Sequence, residues 1–212
     1  MMAKWERFGL GLLLAPVAPL AGLMLCWWAT VYFLLPEKWI IIAAFAGLLA
    51  GIGADVLFLK KLLERRLGWP LWMAVYLFYS TGLFGMFMGV PVFNTALAVP
   101  AGFVVGSRLA WEKAEHPRVL GMAKRAAWFT TAVLVLVCMA SAILALLSPS
   151  TPSDLKGMLG LDFEVTQGMI IALILIGGVG MLFVCWGLTV LCVRLTHRFL
   201  SHLQPYPADS TG

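Results

Sequence analysis

Residues 69–108 read WPLWMAVYLFYSTGLFGMFMGVPVFNTALAVPAGFVVGSR. They contain the longest run of the chain without a charged side chain. No Asp, Glu, Lys, Arg or His occurs from Trp69 to Gly106, whereas about 20 apolar residues suffice to cross a bilayer once. The only strong turn signal near its middle is Gly89-Val90-Pro91. The stretch therefore predicts two membrane-spanning helices, at about 70–88 and 91–110, joined by a tight reversal.

The composition of the whole chain favours lipid as its solvent. Of 212 residues, 62% are hydrophobic and 12% are charged, and the mean hydropathy is +0.95; about a quarter of the residues of a soluble domain are charged. Apolar runs recur along the chain and predict an all-α polytopic membrane protein with six spans, at about 8–35, 39–59, 70–88, 91–110, 126–147 and 169–193. We expect one domain over 1–203 and a disordered cytoplasmic tail at 204–212.

The basic residues predict an orientation. All Lys and Arg residues except Lys38 and Lys156 lie in alternate connections or near the termini, as expected of cytoplasmic segments. The predicted topology is three hairpins in the cell (inner or plasma) membrane, with both termini cytoplasmic. Basic residues that set the orientation of the chain in the membrane and contact anionic lipid account for the net charge of +5. We therefore expect no nucleic-acid partner.

Polar side chains in two neighbouring spans suggest a ligand pocket. Tyr76, Tyr79 and Ser80 follow one another at helical spacing on one face of the third span. Asn94 and Thr95 lie about one turn into the fourth span. Polar groups at membrane depth often mark binding sites, so these five residues are our candidate ligand site. Hydrogen bonding between helices is the structural alternative.

Asp55 is the only acidic residue inside a predicted span. It could bind a proton or a cation in the bundle interior. Because it lies only about 7 Å from the basic boundary that begins at Lys60, it could instead pair with Lys60, Arg108 or Arg194.

Small residues predict close helix contacts. Gly47 and Gly51 belong to a stripe of small residues on the second span, and Gly102 and Gly106 form a GxxxG pattern on the fourth. Such faces let two helix backbones approach each other.

Prolines interrupt the first span at Pro16 and Pro19 and the fourth at Pro100, where kinks are expected. If the six predicted spans are divided into two groups of three, the two halves have opposite orientations in the membrane. This is the arrangement of inverted-repeat transporters. The similarity of VAPLAG at 17–22 to AVPAG at 98–102 is too short to establish such a repeat.

Motifs for chemistry are scarce. The cysteines, Cys26, Cys138, Cys185 and Cys192, show no metal-ligand spacing and suit small buried side chains. No HExxH, GxSxG or Walker-type sequence occurs. We therefore predict no catalytic residues, no metal and no cofactor.

Two functional hypotheses remain, with a third behind them. The first is a small-molecule transporter or its substrate-binding membrane subunit, with a pocket between spans three, four and six. In size, span number and inward termini the chain is similar to the substrate-binding subunits of energy-coupling-factor vitamin transporters. The second is a non-catalytic accessory or assembly subunit whose partners are lipid and other membrane subunits. The third, a lipid-acting membrane enzyme, is disfavoured because no pair of acidic residues lies within a span.

Overall fold

The computed structural model describes residues 4–33, 36–64, 68–86, 90–160 and 163–203. All regular elements within these ranges are helices, which confirms the all-α prediction. In chain order they are α1 (Lys4–Leu14), α2 (Val17–Tyr32), α3 (Glu37–Glu64), α4 (Trp69–Met86), α5 (Val92–Ala96), α6 (Ala98–Trp111), α7 (His116–Leu147), α8 (Thr151–Leu159) and α9 (Gln167–Leu203).

Among the described residues, five helical segments are long and apolar enough to cross a membrane: Phe8–Tyr32, Glu37–Phe58, Val92–Trp111, His116–Leu147 and Gln167–Leu203. The third predicted span corresponds to α4, which is not among the five because its Trp, Tyr and Pro residues make it less apolar. The end of that span at 87–88, Gly89 of the predicted reversal and the predicted tail at 204–212 lie outside the described residues.

The exposed surface is apolar. Side chains such as Trp28, Val56, Ile176 and Phe183 are at least three quarters exposed. A soluble monomer rarely exposes contiguous apolar patches on this scale, whereas hydrocarbon is the favoured surrounding for such side chains. The helices are thus compatible with a multi-pass membrane protein.

The chain divides into two compact units, with the boundary between Phe78 and Tyr79 inside α4. In the first unit, α2 and α3 pack as an antiparallel pair through glycine. A methyl group at Gly47 would lie 2.7 Å from the Cys26 Sγ atom and would also meet the backbone of Gly22. Since carbon atoms pack at about 3.5–4.0 Å, the two backbones are too close for a side chain.

The first predicted span is broken into α1 and α2 at Ala15 and Pro16. Pro16 and Pro19 have no backbone N–H, so the carbonyls of Leu12 and Ala15 lose the donors that a continuous helix would supply. Both α1 and α2 pack on α3, so this break, named here the α1–α2 break, lies beside α3.

In the second unit, α6, α7 and α9 pack against one another, and α5 contacts all three. α6 and α9 run parallel, because Gly102 lies against Thr189 and Val193 of α9 and Gly106 lies further along, against Val193 and His197. α7 runs antiparallel to α9. The centre of the unit is a buried cluster of Ala98, Leu134 and Cys185.

Two helices extend beyond the predicted spans. α7 begins at His116 rather than near 126, and α9 continues to Leu203 rather than ending near 193. At about 1.5 Å per residue both exceed the roughly 30 Å thickness of the hydrocarbon core. Charged residues end an apolar run without ending a helix, so the basic segments at these positions are helical rather than loops.

Candidate functional site

The contact between α4 and α5 is a buried hydrogen-bond pair. The Asn94 side-chain Nδ2 donates to the Ser80 carbonyl oxygen at 3.1 Å and to Ser80 Oγ at 2.9 Å. Both residues are at least 97% buried. The structure thus brings together two of the five predicted pocket residues, and Thr95 follows Asn94 directly; we name Ser80, Asn94 and Thr95 the Asn94 layer.

Two oxygen atoms of the Asn94 layer are buried without a hydrogen-bond partner among the described residues. They are Asn94 Oδ1 and Thr95 Oγ1. Because the two bonds of Nδ2 occupy both donors of the Asn94 amide, the oxygen that remains can only accept. An unsatisfied buried polar group costs roughly 1–3 kcal/mol, so the layer is suited to a ligand or water molecule that donates hydrogen bonds to it.

The two predicted tyrosines are placed differently. Tyr79 directly precedes Ser80 in α4 and is half-buried, and Tyr76 is half-buried in the first unit. Each already has an interaction partner. The two phenols are therefore not unpaired groups awaiting a ligand, unlike the oxygens of Asn94 and Thr95.

A second polar layer, missed at the sequence level, joins α7 to α9. The hydroxyls of Thr130 and Thr189 hydrogen-bond each other at 3.0 Å, and the Thr189 hydroxyl also donates to the Cys185 carbonyl at 2.8 Å. Both threonines are fully buried. Thr131 Oγ1 is buried as well, near the Cys185 thiol, but forms no hydrogen bond of acceptable geometry with the described residues. We name Thr130, Thr131 and Thr189 the threonine layer.

The sequence carries only a weak signal for the threonine layer. A threonine in a helix can satisfy its hydroxyl on a carbonyl three or four residues earlier, as the Thr189 hydroxyl does on the Cys185 carbonyl at 2.8 Å. Isolated threonines in an apolar run are therefore compatible with plain packing. Only the hydrogen bond between α7 and α9 shows that these threonines form a buried polar group.

The two layers lie on opposite sides of the apolar cluster. Asn94 precedes Ala98 by one turn of the chain, while Thr189 follows Cys185 by one turn on the parallel helix α9. Each turn rises about 5.4 Å, so roughly 10 Å separates the layers. They are two polar sites along one bundle rather than one pocket.

The α5–α6 junction directly follows the Asn94 layer in the chain. The helix is interrupted at Leu97, and Pro100 follows three residues later. Because Pro100 has no N–H, the Ala96 carbonyl lacks its usual helical donor. The fourth predicted span is therefore two helices, and the break lies next to Asn94 and Thr95.

Asp55 follows Gly47 and Gly51 on α3 at a spacing of four residues and is half-buried. Its carboxylate forms no hydrogen bond or ion pair with the described residues of its own unit. Arg108, one of its predicted partners, forms an ion pair with Glu112 at 3.3 Å. Lys60 lies outside the described side chains, and a pair with Arg194 stays a prediction.

The predicted packing glycines Gly47, Gly51, Gly102 and Gly106 are all buried against a helix of their own unit. Leucine at these positions would therefore disrupt the chain itself, and such variants cannot report on an external partner. Within the described residues, no group of three or more His, Cys, Asp or Glu side chains is placed to hold a metal ion.

Comparison with known proteins finds no match to any protein family, any curated protein or any solved structure. The similarity to energy-coupling-factor subunits therefore rests on size and predicted topology alone. Any functional statement must come from the two polar layers and from Asp55.

Proposed function

We propose that the chain is a small-molecule transporter, or the substrate-binding membrane subunit of one, and that its solute binds at the Asn94 layer. The observation that carries the proposal is the pair of buried oxygens, Asn94 Oδ1 and Thr95 Oγ1, left without partners in an apolar bundle. A bilayer offers no hydrogen-bond donor to such groups, which is why a bound solute with N–H or O–H groups would stabilise them.

The proposal includes the finer topology of six spans with both termini cytoplasmic in the cell membrane. α4 supplies the sixth crossing: its 18 residues span about 27 Å, close to the hydrocarbon thickness. The Asn94 layer then lies toward the outer side, because α5 precedes α6 and α6 ends in the basic segment that begins at Arg108.

The test is solute-dependent thermal unfolding of the purified chain in a mild detergent, followed by native mass spectrometry. A panel of donor-rich solutes, including amines, amides, nucleobases and vitamins, is screened by tryptophan fluorescence. A solute at 100 times its Kd stabilises a folded state by about 2.7 kcal/mol. We expect one class of solute to raise the unfolding midpoint, and Asn94→Ala to weaken its affinity at least tenfold.

The matched control is Thr30→Val, which removes a hydroxyl bonded only to its own helix, at the Cys26 and Trp27 carbonyls. This variant should keep the solute response of the wild type. If Asn94→Ala and Thr30→Val respond alike to every solute, or if no solute shifts the midpoint, the transport proposal is wrong.

One observation favours the second candidate, an accessory subunit. In α9 a methyl group added at Gly177, Gly178, Gly180 or Gly187 would meet no described atom within 4 Å. Open glycines on a membrane helix suit docking of another helix. Under this alternative a protein copurifies with the chain, and Gly180→Leu abolishes copurification without lowering the unfolding midpoint.

A further inference from the structure

Three sulfur-containing side chains meet where α7 packs on α9: Cys138 of α7, and Met181 and Cys185 of α9. Cys185 is fully buried in the apolar cluster, and Cys138 and Met181 both pack against that cluster. The Cys138 and Cys185 side chains lie close enough to interact electrostatically across the helix contact. Both cysteines are free thiols, so their sulfur atoms are available as ligands.

The register of the two helices accounts for this meeting. α7 and α9 run antiparallel and are continuous through the contact. The hydrogen bond between the two threonine hydroxyls fixes the register. Steps of four residues, about one turn each, give the facing pairs Thr130–Thr189, Leu134–Cys185 and Cys138–Met181. Because Met181 and Cys185 are four residues apart on one helix, they are neighbours on its surface, and Cys138 faces them from α7.

The threonine layer adds hydroxyl groups beside the Cys185 sulfur atom. The hydroxyls of Thr130, Thr131 and Thr189 all lie near the Cys185 thiol. Thr131 is only 9% exposed, and its Oγ1 atom has no hydrogen bond among the described residues. A negatively charged acceptor forms stronger hydrogen bonds than a neutral one. The Thr131 hydroxyl is therefore placed to donate to Cys185 once that thiol has lost its proton.

We propose that Cys138, Met181 and Cys185 bind one Cu(I) ion. Thiolate and thioether sulfur are soft ligands that select Cu(I), whereas a structural zinc site almost always has four ligands. The thiols lose their protons on binding. One Cu(I) ion and two Cys thiols thus give a complex with a charge of −1, and two protons are released while the copper stays Cu(I). The Thr131 hydroxyl stabilises part of this charge in its apolar surroundings.

The alternative is that the three sulfur side chains only fill space in the bundle, as cysteine and methionine often do. A packing role predicts that their substitution changes stability alone and that the chain does not retain Cu(I). The buried, unpaired Thr131 hydroxyl beside Cys185 favours the metal site, because close packing of apolar side chains gives that hydroxyl no partner. Cu(I) binding does not depend on the transport function proposed above.

The experiment measures the affinity of the full chain for Cu(I) by competition with a coloured Cu(I) chelator. The protein is purified in dodecyl maltoside, its affinity tag is removed, and the titration is done without oxygen and with ascorbate, which keeps copper as Cu(I). We expect the wild type to withdraw one Cu(I) ion per chain from the chelator. X-ray absorption at the copper edge should then show sulfur as the only neighbour of the metal.

Variants of the three ligands locate the site. Cys138→Ser and Cys185→Ser should each weaken Cu(I) binding roughly 100-fold or more, since even the loss of an outer-shell partner costs about 10–100-fold. Met181→Leu, which nearly conserves the side-chain volume, should weaken it about tenfold. The matched controls Cys192→Ser, seven residues after Cys185 on α9, and Met139→Leu, at an exposed position of α7, should bind as the wild type does.

The hydroxyl of the threonine layer is tested separately. Thr131→Val should weaken Cu(I) binding about tenfold, as the loss of an outer-shell hydrogen bond does, without lowering the stability of the copper-free chain. An unchanged affinity in this variant overturns the role of Thr131 in the site.

A wild type that withdraws no copper from the chelator overturns the proposal. Equal affinities in Cys138→Ser and Cys192→Ser also overturn it, as does a copper spectrum that shows nitrogen or oxygen neighbours alone. If Cys185→Ser does not fold, Cys138→Ser decides, because Cys138 is only half-buried. The solute test with Asn94→Ala is separate, so loss of the solute response alone refutes transport and leaves the copper site standing.

Discussion

Thr130 and Thr131 are adjacent in α7, yet only Thr130 is paired. The Thr130 hydroxyl bonds Thr189 across the helix contact, whereas that of Thr131 is buried without a hydrogen bond among the described residues. A satisfied hydroxyl stabilises the fold and an unsatisfied one opposes it. Neighbouring threonines in one helix should therefore respond oppositely to the same substitution.

We predict that Thr130→Val lowers the free energy of unfolding by about 0.5–1.5 kcal/mol, because it removes the bond to Thr189. Thr131→Val should leave it unchanged or raise it slightly, because valine keeps the shape and removes an unpaired hydroxyl. Unfolding in mixed dodecyl maltoside and SDS micelles, followed by tryptophan fluorescence, measures both. Equal losses in the two variants would mean that Thr131 has a partner.

A double-mutant cycle isolates the pair itself. For Thr130→Val combined with Thr189→Val we expect a coupling energy of about 0.6 kcal/mol, the average for interhelical hydrogen bonds in a membrane protein. The cycle of Thr131→Val with Thr189→Val is the matched comparison and should give a coupling near zero. If the two couplings are alike, the threonine layer is not organised around the Thr130–Thr189 bond.

At the residue scale the sequence identifies candidates by type but not by their partners. Ser80, Asn94 and Asp55 stand out because polar groups are rare in apolar runs. That Asn94 donates twice to Ser80, which leaves only its oxygen unpaired, depends on the α4–α5 contact. Such a contact is not encoded in the spacing of residues along either helix. The sequence gives no signal for Thr131, because a helical threonine can usually satisfy its own hydroxyl.

At the scale of helices, glycine has two different roles in this chain. Gly102 and Gly106 allow α6 to approach α9, and a methyl group at Gly106 would lie 2.7 Å from both Thr196 Cβ and the Val193 carbonyl oxygen. Gly180 of α9 has open space around it. A methyl group added at Gly106 therefore clashes with α9, whereas one added at Gly180 has free space.

We predict that Gly106→Ala destabilises the chain by about 1–3 kcal/mol, because the added methyl group forces the helices apart. Gly180→Ala should be neutral or stabilising by up to about 1 kcal/mol, because alanine favours the helix over glycine. The same micelle unfolding assay tests both variants. A Gly106→Ala variant as stable as Gly180→Ala would contradict the close α6–α9 contact.

The two helix breaks show what the sequence predicts at this scale. Proline predicts an interruption wherever it removes a helical N–H, and both predicted spans with a proline in their interior are divided in the structure, at Ala15–Pro16 and at Leu97. The ends of α7 and α9 were predicted less well. Hydropathy locates where a chain leaves hydrocarbon, whereas a helix ends only where its backbone hydrogen bonds end.

At the scale of the whole molecule, the proposed six-span topology depends on α4. Basic residues cluster both before α4, from Lys60, and after α6, from Arg108. Both clusters can be cytoplasmic only if an even number of crossings separates them. Since Val92–Trp111 is one candidate crossing, the six-span proposal requires α4 to be the other. Without it, the segment beginning at Lys60 and the segment beginning at Arg108 would lie on opposite sides of the membrane.

We therefore predict that fusions at the two termini report the same, cytoplasmic side, as six crossings require. A fluorescent protein that matures only in the cytoplasm should be bright at either end, and alkaline phosphatase, active only outside, should be inactive at both. A phosphatase inserted at Ser150, between α7 and α8, where the six-span topology places the chain outside, is the positive control and should be active. Five crossings would place the termini on opposite sides, so one bright and one dark terminus would remove α4 from the membrane and the outward-facing solute site with it.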